Sequence, residues 1–183
     1  KRLGVTNVNI KGNIRVGGLV GYLQHSSTIE NCYSTGSVEG ADSNGHVGGL
    51  VSYLYNQSTV SNSYSLAAVS SSGNGKVGGL VAEVNGASVT GSFWDIDTSG
   101  VSVSGGGTGR STSEMIYQQS PYTNAGWSSD IWNIVDGSYP TLKKDSRSVY
   151  VPDDKFEQVL IDLGYDDVLD DYVNTENIEN VIN

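Results

Sequence analysis

Val16-Gly17-Gly18-Leu19-Val20 recurs unchanged as Val47-Gly48-Gly49-Leu50-Val51 and as Val77-Gly78-Gly79-Leu80-Val81, at spacings of 31 and 30 residues. A second block follows each copy: Ser27-Thr-Ile-Glu-Asn-Cys-Tyr-Ser34, Ser58-Thr-Val-Ser-Asn-Ser-Tyr-Ser65 and Ala87-Ser-Val-Thr-Gly-Ser-Phe-Trp94. A fixed period in this range marks a repeat array, in which each unit is completed only by its neighbours. Within a repeat the apolar residues follow the two-residue period of strands. Leu19, Gly21 and Leu23 share one face, as do Leu50, Ser52 and Leu54, and Leu80, Ala82 and Val84. Tyr22, Tyr53 and Glu83 fall on the other face. Three short strands are expected per repeat, the first running unbroken over residues 17–23. The fold expected is all-β: a right-handed parallel β-solenoid (β-helix) of about three coils of ~30 residues, a C-terminal cap and a short α-helical appendage.

The expected boundaries follow. Residues 1–108 hold the solenoid, with coils at 16–46, 47–76 and 77–108 after a partial coil at 1–15. Residues 109–144 form the cap over the last coil, with Trp127, Trp132, Tyr139 and Pro140. Residues 145–183 form the acidic appendage, a helix expected over 150–164 with Phe156, Val159, Leu160 and Leu163 on one stripe. Gly-Gly has two readings, a tight corner or the close approach of another backbone, and the corner is favoured. Asn31 and Asn62 are candidates for a stacked amide ladder that Gly91 ends. Cys32, Ser63 and Ser92 share a small, enclosed position. Ser99–Gly109 is Gly/Ser-rich, and Ser104–Ser111 reads as a flexible linker rather than a phosphate loop, because no strand–helix context surrounds it.

Composition narrows the function classes. The chain has 183 residues, 24 Gly, 11 Tyr and one Cys. One cysteine excludes an intrachain disulfide. Residues 1–144 carry 9 acidic and 8 basic side chains, a net of −1; residues 145–183 carry 11 acidic and 2 basic, a net of −9. Neither half has the basic stripe that a phosphate backbone or an anionic membrane surface requires, so neither is an expected partner, and with no apolar run long enough to span a membrane, membrane insertion is not expected. The chain starts at Lys1 inside repeat-like sequence and is expected to be a piece of a longer secreted protein.

The repeat, with Ile29-Glu-Asn-Cys-Tyr-Ser-Thr-Gly-Ser-Val38 after the pentapeptide, resembles the GLUG motif of bacterial surface proteins, including large adhesins and some IgA-cleaving peptidases. Phe93 to Gly109, with Ser113-Glu-Met115 and Gly126-Trp127, resembles the segment that closes such arrays. Val151-Pro-Asp-Asp-Lys-Phe156 through Asp171 resembles the N-terminal cap of secreted bacterial leucine-rich-repeat proteins. The resemblance implies a secreted, multidomain, bacterial cell-surface protein and carries no catalytic residues.

Candidate sites are few. Tyr22, Tyr53 and Tyr55 offer aromatic faces to which sugars could stack, against the alternative of simple packing. Asp95-x-Asp97-x-Ser99-Gly100 matches the first half of a calcium loop but lacks the closing Glu; an Asp-rich turn is the favoured reading. Asp166, Asp167, Asp170 and Asp171 form a second acidic cluster, read either as a calcium site or as solvated acids. His25 and His46 are expected to be solvated. No Gly-x-Ser-x-Gly nucleophile elbow is present, and the equivalent positions Tyr22, Tyr53 and Glu83 of successive coils offer a single carboxylate, so the chain is not expected to be an enzyme, and no cofactor other than calcium is a candidate. The leading expectation is a structural and adhesive module whose partners are other domains of the same chain and surface glycans or host or substratum proteins. The alternatives are an accessory segment of a secreted carbohydrate-active enzyme or peptidase and, less favoured, an ice-binding solenoid using the row Thr28, Thr59 and Ser88.

Overall fold

The computed structural model describes residues 2–41, 44–143, 148–150, 154–164 and 172–174. It divides into two units, residues 1–142 and 143–183.

The first unit is a parallel β-solenoid of about three turns. The partial coil is one long strand, β1 (Leu3–Gly12). The first coil contains β2 (Arg15–Gly17), β3 (Val20–Leu23), β4 (Thr28–Glu30) and β5 (Cys32–Gly40). The second contains β6 (His46–Gly48), β7 (Val51–Tyr55), β8 (Thr59–Ser61), β9 (Tyr64–Ser65) and β10 (Ala68–Ser71). The third contains β11 (Val77–Gly78), β12 (Val81–Asn85), β13 (Ser88–Thr90) and β14 (Phe93–Asp95). Repeat equivalences read from the sequence become strand registers here: Val16, Val47 and Val77 pair in one row, Tyr22, Tyr53 and Glu83 in another, Thr28, Thr59 and Ser88 in a third.

The strand expected over residues 17–23 is broken in two, because the chain bends at Gly18-Leu19 and at the equivalent places above. The glycines serve both readings at once. None of the six has a positive φ, so the corner does not need left-handed backbone. What it needs is space. A Cβ on Gly18 would overlap the carbonyl oxygen of Gly49, one on Gly49 that of Gly79, and one on Gly79 the indole of Trp94. Coils therefore touch backbone to backbone at this corner, where Leu19 N–H donates to Leu50 O at 2.9 Å and Leu50 N–H to Leu80 O at 2.9 Å. Leu50, Leu54, Val60 and Leu80 fill the interior without solvent exposure.

The second corner, between β4 and β5, is set differently. Asn31, Asn62 and Gly91 all have left-handed φ, of 54°, 46° and 52°. These residue types adopt that region most readily, so backbone conformation accounts for them at this corner. Beside them Cys32, Ser63 and Ser92 form the enclosed row: the Cys32 N–H donates to Ser63 Oγ and the Ser63 N–H to Ser92 Oγ, each at 3.1 Å.

The Gly/Ser-rich stretch is no linker. After the short helix α1 (Ile96–Ser99), it lies across the open edge of the third coil and satisfies its backbone. Gly79 N–H donates to Val103 O, Gly105 N–H to Val81 O and Thr108 N–H to Ser92 O. Ser104 Oγ accepts from Val81 N–H at 3.0 Å and from Leu80 N–H at 3.4 Å. Strand β15 (Thr108–Arg110) then pairs with β14 and completes the cover. Unpaired strand edges are costly to leave open, and small residues allow the chain to follow the last coil closely.

The aromatic segment, α2 (Thr112–Tyr117), α3 (Ser120–Asn124), β16 (Trp132–Asn133) and β17 (Thr141–Leu142), does not sit over the last coil as expected. It straps the flank, against the column Tyr33, Tyr64 and Phe93, one ring per coil. Tyr33 and Tyr64 stack at 5.0 Å and 4°. Trp132 Nε1–H donates to Asn31 Oδ1 at 3.0 Å, Tyr64 O–H to Pro140 O at 2.7 Å and Trp127 Nε1–H to Gly91 O at 2.6 Å, so the strap is bonded to all three coils.

The second unit contains an antiparallel pair, β18 (Ser148–Tyr150) with β19 (Tyr172–Asn174), and α4 (Asp154–Asp162). The helix is shorter than the expected 150–164, because Tyr150 is committed to a strand. Gly164, at φ 77°, follows its end. Leu160 is buried, while Phe156, Val159 and Leu163 are exposed. Asp166, Asp167, Asp170 and Asp171 lie outside the described residues.

Candidate functional site

The residues flanking each Val-Gly-Gly-Leu-Val copy are carried into two outward columns by the bend. One column is Arg15, His46 and Lys76; the other is Tyr22, Tyr53 and Glu83. Tyr55, which has Asn85 as its third-coil equivalent, stands beside them. The three tyrosines suggested by sequence are thus brought together. Tyr22 and Tyr53 meet edge to face at 5.4 Å, Tyr22 and Tyr55 stack at 6.4 Å, and Tyr53 and Tyr55 lie 6.3 Å apart. Tyr22 and Tyr53 are half-buried, whereas Tyr55 is 38% exposed.

Sequence reasoning missed two members of this face. The Arg15 guanidinium carbon lies 4.3 Å from the Tyr22 ring centroid and 4.9 Å from that of Tyr53, a cation–π arrangement with both rings. The His46 imidazole stacks on Tyr53 at 5.8 Å and 9°. The signal was available, since Arg15, His46 and Lys76 each precede the first Val of a repeat by one residue. At the third coil a Lys76–Glu83 ion pair replaces the aromatic contact. Beside it runs an open groove of about 440 Å³ lined by Lys76, Glu83, Val103, Ser104 and Gly105 among others. The whole is a continuous strip of aromatic, cationic and amide or hydroxyl groups, crossing three coils.

The Asp95, Asp97 and Ser99 set is brought together, but as a hydrogen-bonded hub. Asp95 is fully buried. Its Oδ1 caps α1, accepting from Asp97 N–H at 2.8 Å and Thr98 N–H at 3.1 Å. Its Oδ2 accepts from Thr112 Oγ1–H at 2.7 Å and Tyr139 O–H at 2.5 Å. Asp97 Oδ2 accepts from Thr112 N–H, and Ser99 Oγ accepts from Val101 N–H. Four donors converge on one buried carboxylate and join α1 to the strap. Among the described residues no group of three or more His, Cys, Asp or Glu is placed to hold a metal. Burial, reinforced by the Asp95 bond, pushes the Tyr139 phenol up to about 12. Burial likewise raises Tyr64 and Tyr122. The bonds from Ser111 N–H and Oγ hold the Glu114 carboxyl below the usual range.

The row Thr28, Thr59 and Ser88 exists, with Thr59 Oγ1–H donating to Thr28 Oγ1 at 3.1 Å. A second outward row, Glu30, Ser61 and Thr90, runs beside it and is interrupted by the acid.

Fold and surface together define a structural repeat module of the β-solenoid class. Its first two coils match the GLUG motif, over residues 12–39 and 43–70. The third coil lies outside that match, and it is the one in which Gly91, Glu83 and Trp94 replace Asn, Tyr and Ser. A protein of Evansella cellulosilytica described as a Gly-rich membrane protein is 33% identical over 130 residues, covering 68% of this chain and 11% of the relative. The chain therefore spans about a tenth of the length of the curated relative it matches. No solved structure matches. No helix among the described residues is long and apolar enough to cross a membrane.

Proposed function

We propose that the solenoid is a non-catalytic adhesive module of a large, secreted bacterial cell-surface protein, and that the strip built on Tyr22, Tyr53 and Tyr55 binds surface glycans. The observation that carries this reading is the register that places the three rings in mutual contact with Arg15 laid over two of them. A ring cluster held rigid by stacked coils presents faces and edges for the apolar patches of sugars at little entropic cost, and the neighbouring Lys76 and Glu83 supply polar anchors. Residues 145–183 are read as the N-terminal cap of a leucine-rich-repeat domain; exposure of Val159 and Leu163 on α4 supports this, since a short helix needs cover for its apolar stripe.

The test is a glycan-array screen of the full chain beside Tyr55→Ala and a Tyr22→Ala/Tyr53→Ala double variant. Retained tryptophan fluorescence would confirm the fold of each. The reading expects one glycan class to be bound by the parent and lost in both variants. Binding that survives in both would defeat it.

A further inference from the structure

Where the closing strand, the third coil and α3 meet, a groove of about 390 Å³ opens on the side of the solenoid. Its walls include Val89 and Phe93 of the third coil, Thr108 and Arg110 of β15, and Pro121 and Asn124 of α3. The Nε of Arg110 is buried and has no hydrogen-bond partner. Buried donors are nearly always paired, and an arginine cannot escape the cost by losing its proton. The guanidinium carbon lies 5.4 Å from the Phe93 ring centroid, which fixes the group over an aromatic surface but gives its N–H groups no acceptor. No Asp or Glu lines the groove. Glu114, whose titration Arg110 influences, accepts Ser111 N–H at 2.8 Å and Ser111 Oγ–H at 3.0 Å, both at Oε2, and makes no hydrogen bond to Arg110 Nε.

We propose that this groove binds a carboxylate through Arg110, with Thr108 and Asn124 at hand for further polar contacts and Val89, Phe93 and Pro121 as an apolar wall. A guanidinium presents paired N–H groups in the geometry of a carboxylate, and an apolar wall beside it suits a sugar ring that carries one. The carboxylate is that of a uronic-acid residue or of a free organic acid. This site is separate from the tyrosine strip and does not depend on it.

The experiment follows the Arg110 Nε–Hε resonance of the isotopically labelled full chain, assigned through bonds from the Arg110 backbone amide. Glucuronate, glucose and acetate are titrated in turn. Glucuronate is expected to shift the resonance saturably, glucose to leave it in place, and Arg110→Gln to weaken the accompanying shifts of the Thr108 and Asn124 amides by about tenfold or more. A response to acetate but not to glucuronate supports the carboxylate site and assigns it to a free acid. No saturable shift with either acid, or an equal response to glucose, overturns the proposal. The wild-type titration decides this even if Arg110→Gln fails to fold.

Discussion

Replacing Gly49 by Ala tests the contact on which the stack depends. Gly49 lies in the middle coil, and its added methyl would overlap the Gly79 carbonyl oxygen and the Ser65 hydroxyl, with Ser65 Cβ at 3.1 Å. One obstacle is backbone of the next coil and the other is a fully buried side chain, so neither can move aside cheaply. Overpacking of a tight interior costs about 1–3 kcal/mol. Relief by separating the coils would stretch Gly49 N–H to Gly78 O, now 3.0 Å, and Leu50 N–H to Leu80 O, now 2.9 Å. At about 1 kcal/mol for each weakened bond, the sum is about 3–5 kcal/mol. For a unit of this size that lowers the melting temperature by about 10–15 °C. Gly86→Ala is the control: its φ is 59°, yet nothing lies within 4 Å of the added atom. Left-handed strain of about 1–2 kcal/mol, offset by about 0.4–1 kcal/mol of unfolded-chain entropy, leaves a loss near 1 kcal/mol. Urea unfolding followed by tryptophan fluorescence reads the solenoid alone, because Trp94, Trp127 and Trp132 are the three tryptophans of the chain and all are buried in it. A Gly49→Ala midpoint within about 1 kcal/mol of wild type, or a Gly86→Ala loss as large as that of Gly49→Ala, would refute the close-approach account.

Alkali should unfold the solenoid. Tyr64 and Tyr122 titrate above their unfolded range, so they contribute stability that is complete below about pH 10 and lost as pH rises through their folded values. The expected slope is about 1.4 kcal/mol per pH unit for each, with a smaller addition from the more exposed Tyr139; melting temperatures that stay flat well above pH 10 would contradict it. Trp132→Phe should cost about 1–3 kcal/mol, because it leaves the buried Asn31 Oδ1 without its donor; equilibrium unfolding by urea measures it, and a neutral result would show that the strap is not held at the first coil by this bond. Cys32→Ser should stay within about 1 kcal/mol of wild type, since Ser63 and Ser92 already occupy the equivalent place with hydroxyls bonded to the carbonyl two residues back; a loss of several kcal/mol in the same assay would mean that the thiol does more than fill space.

What the sequence made legible was whatever repeats. Register, coil length, the interior row of Leu50 and Leu80 and the outward row of Tyr22 and Tyr53 all follow from the period of 30–31, because stacking turns sequence equivalence into spatial contact. What stayed hidden occurs once. Ser104 and Gly105 look like linker by composition, and only the unpaired edge of the third coil gives them a partner. Trp132 reaches Asn31 across 101 residues, a distance at which no periodicity speaks. Asp95 was readable as a metal ligand because a calcium loop and a helix N-cap begin alike; its hydrogen-bond donors Thr112 and Tyr139, which tie it to the strap, lie 17 and 44 residues on. Arg15 and His46 escaped for the opposite reason. They obey the period, but their residue types differ from coil to coil, so equivalence of position was masked by difference of chemistry. That variation is where the solenoid has chemical freedom: the Leu and Gly positions must be alike for coils to stack, whereas the positions just outside the pentapeptide are free to differ. The strip of Arg15, Tyr22, His46, Tyr53, Lys76 and Glu83 is therefore the part of the surface whose chemistry stacking leaves open.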